Sequence, residues 1–72
     1  MEVRLFAYFR ENRGKIIDVE WREGMDGYAL FEKLGINHEH VSIFLINGLN
    51  SRHDTTLKSD DVVALFPPVG GG

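Results

Sequence analysis

The last eleven residues, VVALFPPVGGG, constrain the fold of this chain most strongly. Residues 62–66 are apolar and rich in β-branched side chains, which predicts a buried strand. Pro67 and Pro68 end this strand, because they lack the N–H groups that a β-ladder uses. The three glycines that follow have no side chain to bury in a core. We therefore expect a folded domain over residues 1–69 and a flexible glycine tail over residues 70–72, which could carry its carboxylate into a narrow channel of another protein.

Size and composition exclude several classes of protein. A chain of 72 residues with 43% apolar residues forms one small domain, and the lack of cysteine excludes disulfides, thiolate metal sites and a cysteine nucleophile. The formal net charge of −3 argues against a nucleic-acid-binding face. The sequence shows neither the pattern of a signal peptide nor an apolar run of the length that spans a membrane. We expect a cytoplasmic protein that binds neither nucleic acid nor a membrane.

Two alternating runs at the start of the chain predict an antiparallel hairpin. Residues 2–9 form the first predicted strand, with Val3, Leu5 and Ala7 towards the core and with Phe6 and Tyr8 on the other face. The polar segment 10–14 ends in glycine and is typical of a turn. Residues 15–21 form the second predicted strand.

The middle of the chain predicts one helix and a third strand. Asp26 can cap a helix over residues 27–34, and Gly35 can end it in the left-handed conformation. Gly27 is an unfavourable residue in the first turn of such a helix. Residues 41–46 are apolar at nearly every position, which favours a central strand covered on both faces, and Asn47-Gly48 predicts a tight turn. With the final strand, these elements indicate a two-layer α+β domain with the helix on one face of the sheet.

The order of elements resembles the β-grasp, or ubiquitin-like, fold, with a mixed sheet of four to five strands and one main helix. Residues 54–72 are similar to the C-terminus of the small subunit of molybdopterin synthase, in which a Leu-x-Asp-Gly-Asp turn and a strand precede Phe-Pro-Pro-Val and Gly-Gly. Eight residues match this pattern: Leu57, Asp61, Phe66, Pro67, Pro68, Val69, Gly71 and Gly72. Ser59 and Asp60 replace the Asp and Gly of the family turn, and Gly27 stands where an aliphatic residue is usual.

This resemblance implies a sulfur carrier that is not itself an enzyme and that needs no cofactor. A ubiquitin-activating-like adenylyltransferase would adenylate the carboxylate of Gly72, and a sulfur donor protein would allow its conversion to a thiocarboxylate. The tail of Gly70, Gly71 and Gly72 would then enter the large subunit of molybdopterin synthase, where its sulfur forms the dithiolene of molybdopterin. Pro67 and Pro68 would reduce the entropy lost when the tail is held extended.

The residues expected to dock the partner proteins are Phe66, Pro67, Pro68, Val69, Phe6 and Tyr8. An exposed apolar patch that also includes Phe44 would suit such a face, since patches of this kind mark interfaces. The alternative is that Phe6 and Tyr8 only bridge neighbouring strands, as aromatic residues in sheets commonly do.

Other features of the sequence predict no further site. His38, His40 and His53 could bind zinc only if they converged, and we expect a solvated connector and no metal site. Asp60 and Asp61 are adjacent turn residues, which does not favour a catalytic pair. Two other functions stay open: a sulfur carrier for thiamine or another pathway, and a ubiquitin-like modifier joined to lysine through Gly72.

Overall fold

The computed structural model describes residues 1–68, which form one five-stranded sheet with one α-helix. The strands are β1 (Glu2–Leu5), β2 (Ile16–Asp18), β3 (Ile43–Ile46), β4 (Leu49–Asn50) and β5 (Val62–Phe66), and the helix is α1 (Gly27–Leu34). Two 3-10 helices cover Ala7–Arg10 and His38–His40. Val69, Gly70, Gly71 and Gly72 lie outside the described residues, so the division between domain and tail stays a prediction. Within residues 1–68, no helix is long and apolar enough to cross a bilayer.

The sheet is mixed, with strand order β2-β1-β5-β3-β4. β1 and β5 run parallel in the centre, and the three other pairs are antiparallel. The first and last strands of the chain are therefore hydrogen-bonded neighbours. This arrangement, with α1 on one face, is the predicted α+β architecture of a β-grasp domain.

The ends of α1 follow the residues that the sequence predicts. The carboxylate of Asp26 accepts a hydrogen bond of 2.9 Å from the amide of Ala29, which satisfies one of the free N–H groups of the first turn. Gly35 has a φ of 71° and ends the helix in the left-handed conformation. The predicted bounds of the helix are thus confirmed at both ends.

The core lies between α1 and one face of the sheet, which we call the inner face. The side chains of Leu30 and Phe31 pack from the helix towards Val3, Leu5, Phe44, Val63 and Leu65 of the strands. The rings of Phe31 and Phe44 meet edge to face at 5.2 Å between centroids. Phe44 is only 1% exposed, so the expectation that it joins a surface patch is wrong.

The first strand is shorter than predicted. It ends at Leu5, and Ala7 adopts a φ of 53° at the start of the first 3-10 helix. This turn exposes the small Ala7 and places the larger ring of Phe9 in the core, where it is 2% exposed. Burial of an aromatic side chain removes far more apolar area from water than burial of a methyl group. Tyr8 therefore lies on the 3-10 helix and not on a strand beside Phe6.

The third strand differs from its prediction in how its two faces are covered. β3 lies between β5 and β4, next to the edge of the sheet. Its inward residues, Phe44 and Ile46, are buried, whereas Ile43 is 40% exposed and Leu45 is half-buried. The strand is therefore not covered on both faces. Its continuous apolar pattern arises because the second face is apolar and open.

A buried carboxylate joins the β3–β4 turn to the start of β5. Asp61 is 6% exposed and accepts hydrogen bonds from the side-chain amide of Asn47 at 2.8 Å and from the amide of Lys58 at 2.7 Å. Asn47 and Gly48 both have positive φ, as a tight hairpin turn requires. Ser59 and Asp60 do not have positive φ, so the turn tolerates them in place of Asp and Gly.

Candidate docking face and C-terminal tail

The face of the sheet opposite α1 carries an apolar patch, which we call the outer face. Strand register places Ile43 beside Phe66 and Leu45 beside Ala64. Val62 lies on the same side of β5, two residues before Ala64. All five side chains are half-buried except Ile43, which is more exposed. An apolar surface that continues across neighbouring strands is typical of a protein interface.

Phe6 completes this patch at the end where the chain leaves the sheet. Its ring stacks on that of Phe66 with 4.1 Å between centroids and 7° between planes. The guanidinium of Arg10 lies 5.1 Å from the centroid of Phe6, within the range of a cation–π contact. Arg10 is itself held by a hydrogen bond of 2.8 Å to the carbonyl of Leu5. These contacts fix the side chain of Phe66 directly before the proline pair.

Charged side chains border the patch on β1. The guanidinium of Arg4 and the carboxylate of Glu2 form an ion pair at 2.6 Å, and Arg4 lies beside Ala64 in the register of the parallel strands. Both side chains are exposed, so this pair contributes little to stability. An apolar centre with a charged rim is the usual composition of a docking surface.

The chain leaves the fold at a well-anchored point. The carbonyl of Phe66 accepts a hydrogen bond of 2.8 Å from the amide of Ser42, so β5 is bonded to its neighbour up to the residue before Pro67. Pro67 is buried and Pro68 is exposed. Pro67 therefore packs against the domain, and Pro68 is the first exposed residue of the segment that continues into the tail.

Only some of the residues predicted to dock a partner lie together in the structure. Phe6 and Phe66 stack on the outer face. Tyr8 is 46% exposed and lines a cleft with the C-terminal end of α1, so its part in docking stays a prediction. Sequence reasoning missed Ile43 and Leu45, although the unbroken apolar pattern of residues 43–46 contained the signal. Arg10 was missed because its contact with Phe6 depends on the 3-10 helix.

His38 and His40 are exposed in the connector between α1 and β3, as predicted, and His53 is half-buried in the loop between β4 and β5. The ring centroids of His38 and His53 are 6.3 Å apart, whereas His40 lines the cleft beside Tyr8. No group of three or more His, Cys, Asp or Glu side chains in the described part of the chain is placed to hold a metal ion.

Comparison with known proteins gives one family over nearly the whole chain. Residues 3–72 match the ThiS family. This match includes the four residues that lie outside the described part of the structure.

Solved structures with the same fold include two archaeal proteins. SAMP1 from Haloferax volcanii, also described as small archaeal modifier protein 1, superposes with a TM-score of 0.75 at 26% identity, over 99% of this chain and 97% of that one. A putative molybdopterin converting factor, subunit 1, from Pyrococcus furiosus gives a TM-score of 0.75 at 29% identity, over 94% and 95%. These similarities confirm the β-grasp fold.

A bacterial structure shows the same fold at lower identity. It is the complex of subunits 1 and 2 of the molybdopterin-converting factor from Helicobacter pylori 26695. The TM-score is 0.61 at 24% identity, over 99% of this chain and 96% of that one. At this identity the similarity supports the fold alone.

Proposed function

The chain belongs to the ThiS family of ubiquitin-like sulfur carriers, and from this premise we propose that it carries sulfur on the carboxylate of Gly72 for the dithiolene of molybdopterin. The observation that carries the proposal is the family match over residues 3–72, which reaches through the proline pair into the glycine tail. The similarity to the putative converting-factor subunit from Pyrococcus furiosus favours molybdopterin as the acceptor. We place this reaction in the cytoplasm, in keeping with a chain that has no cysteine.

The proposed chemistry proceeds in two steps at Gly72. An adenylyltransferase transfers AMP from ATP to the carboxylate and releases pyrophosphate, because a carboxylate is a poor acyl donor until it carries a good leaving group. Sulfur at the oxidation level of sulfide, supplied by a donor protein, then attacks the carbonyl carbon of Gly72. The bond to AMP breaks, AMP leaves, and a thiocarboxylate remains. Gly70 and Gly71 put no side chain in the path of either partner, and their torsional freedom lets the tail extend into a channel.

The proposed docking surface is the outer face around Phe6 and Phe66. The large subunit of molybdopterin synthase and the adenylyltransferase would both bind here, with Pro68 and Val69 leading the tail into each active site. Because Pro67 is buried, its part is to direct the exit of the chain. Proline fixes φ and so lowers the entropy lost when the tail is held by a partner. Catalysis of sulfur transfer would belong to the large subunit.

Deletion of Gly71 and Gly72 tests this assignment. The truncated protein should no longer be adenylated, as measured by ATP–pyrophosphate exchange with the adenylyltransferase. Its melting temperature should stay within about 1 °C of the full chain, because two terminal glycines bury no side chain. Retained adenylation would contradict the role of Gly72, and a large fall in melting temperature would contradict the division into domain and tail.

A second candidate function is that of a protein modifier joined to lysine through Gly72. The similarity to SAMP1 from Haloferax volcanii, described as a modifier protein, favours it. Both candidates require the same activation of Gly72 and differ in the molecule that accepts the sulfur or the acyl group. A carrier for thiamine synthesis would likewise share the activation and differ in the acceptor. Incubation of the activated protein with purified large subunit and pterin precursor separates them, because only the first candidate yields molybdopterin.

A further inference from the structure

His38 and His53 come from separate segments and meet beside the start of α1. His38 lies in the second 3-10 helix, and His53 lies in the loop between β4 and β5. The two rings and that of Tyr28 form a triangle, with centroid separations of 6.3 Å between the histidines and of 5.2 and 5.7 Å from Tyr28 to each. Since these three distances are similar, Tyr28 lies beside the space between the imidazoles and does not fill it.

The separation of the two imidazoles suits a shared metal ion. A ring nitrogen lies about 1.2 Å from the centroid and a zinc–nitrogen bond is about 2.1 Å long, so two imidazoles on one ion have centroids about 5.3 Å apart at a tetrahedral angle and about 6.5 Å apart when in line. The observed 6.3 Å falls inside this range. His38 is exposed, so its side chain can rotate towards a tetrahedral arrangement without disturbing the core.

His53 is held in place by its surroundings. Its ring packs edge to face on Phe31 at 5.1 Å and on Phe44 at 6.1 Å, both of which are core residues. Its carbonyl accepts a hydrogen bond of 3.1 Å from the amide of Tyr28 at the start of α1. A ligand whose backbone and ring are both fixed loses little entropy on binding a metal ion.

The backbone that carries His38 is also held by a local contact. Asn37 caps the second 3-10 helix, where its side-chain oxygen accepts a hydrogen bond of 2.9 Å from the amide of Glu39. The ring of Tyr28 meets that of His38 at an interplanar angle of 76°. The two histidines are therefore presented by two separate anchored segments, which a shared ion would join.

We propose that His38 and His53 bind one divalent transition-metal ion of the zinc type through their imidazole nitrogens. Neutral imidazole is a common ligand of zinc, copper and nickel. The described part of the chain offers no third His, Cys, Asp or Glu ligand in such a group, so water completes the coordination. The ion lies away from the outer face and takes no part in the sulfur chemistry proposed for Gly72.

A bound ion should stabilise the fold, because it joins the second 3-10 helix to the β4–β5 loop only in the folded state. Ligand binding to the native state raises the free energy of unfolding as the free ligand concentration exceeds the dissociation constant. We therefore expect zinc to raise the melting temperature of the protein by several degrees. The loss of either histidine should abolish this rise.

The test compares the untagged, chelator-treated protein with H38Q, H53Q and H40Q by zinc titration calorimetry and thermal unfolding. His40 provides a matched control, because it lies in the same 3-10 helix as His38 but outside the pair. Wild type and H40Q should bind zinc with the same affinity, and H38Q and H53Q should bind at least about tenfold more weakly. Zinc should raise the melting temperature of wild type and H40Q but not that of H38Q or H53Q.

H38Q keeps the proposal testable if H53Q fails to fold, since His38 is exposed and lies outside the core. Zinc binding that is equal in wild type and H38Q, or an absence of binding to wild type, would overturn the proposal. So would an equal loss of affinity in H40Q and H38Q. Activation of Gly72 in the chelator-treated protein is a separate measurement, so failure of the metal site leaves the sulfur-carrier proposal untouched.

Discussion

At the scale of single residues, Gly27 shows how a local preference yields to packing. A Cβ at this position would clash with the carbonyl oxygen of His53 and would lie 2.8 Å from the ring of Phe44. The same carbonyl accepts the hydrogen bond from Tyr28, so the β4–β5 loop sits directly on the start of α1. Glycine is required here by the approach of another backbone segment, although glycine is a weak helix former.

Gly27→Ala should therefore destabilise the protein, opposite to the usual effect of this change in a helix. We expect the free energy of unfolding to fall by about 1–3 kcal/mol, because the loop must shift to make room for the methyl group. Urea denaturation measures the change. Glu32→Ala, at an exposed position of the same helix, serves as a control and should stay within about 0.5 kcal/mol of wild type. A Gly27→Ala protein more stable than wild type would contradict the observed contact.

Asp61 gives a second prediction at this scale. Asp61→Ala removes the acceptor of two hydrogen bonds, from Asn47 and from Lys58, and leaves both donors without their partner. We expect a loss of about 2–3 kcal/mol in the free energy of unfolding. The neighbouring exposed residue supplies the control, since Asp60→Ala should change stability by less than about 0.5 kcal/mol. Equal losses in the two variants would show that the buried carboxylate has no special role.

At the scale of elements, some helices and strands could be predicted from the sequence pattern, and others required the folded structure. Helix α1 was predictable to the residue because its cap at Asp26 and its stop at Gly35 are local signals. β3 was predictable as a strand. Its apolar pattern, however, does not show whether its second face is buried within the domain or left open for another protein. The end of β1 could not be predicted, because the gain from burying Phe9 depends on a core that the sequence does not show.

Phe66→Ala tests whether the outer face docks a partner. The ring of Phe66 is half-buried and stacks on Phe6, so its loss should lower stability by only about 1–2 kcal/mol. Affinity for the large subunit should fall by at least about 30-fold, as expected for an aromatic anchor near the centre of an interface. Calorimetric titration measures this affinity, and urea denaturation measures the stability.

The control for this change is Tyr28→Ala, which removes a more exposed aromatic ring from the helix side of the domain. It should alter affinity for the large subunit by less than about twofold. Unchanged affinity in Phe66→Ala would remove the outer face from the docking proposal. A loss of binding free energy that is no larger than the loss in the free energy of unfolding would show that Phe66 stabilises the fold and does not dock the partner.

At the scale of the whole molecule, the order of strands in the sheet bears on the proposed role of the C-terminus. The parallel pairing of β1 with β5 puts the last strand in the centre of the sheet, so the tail begins from a rigid position. Phe66 lies both at the end of that strand and at the edge of the apolar patch, and a partner that covers the patch would meet the tail. The family could be predicted from residues 54–72 and the architecture from the order of elements along the chain, whereas the role of the tail stays a prediction. The contact of His38 with His53 could not, because it joins segments that only the folded chain brings together.

The most direct test of this account is the intact mass of the protein after incubation with an adenylyltransferase, ATP and a sulfur donor. Replacement of one carboxylate oxygen of Gly72 by sulfur should raise the mass of the C-terminal peptide by about 16 units. The account predicts this gain in the full chain and no gain in the protein that lacks Gly71 and Gly72. An unchanged C-terminal peptide, under conditions in which the adenylyltransferase activates a known carrier, would contradict it.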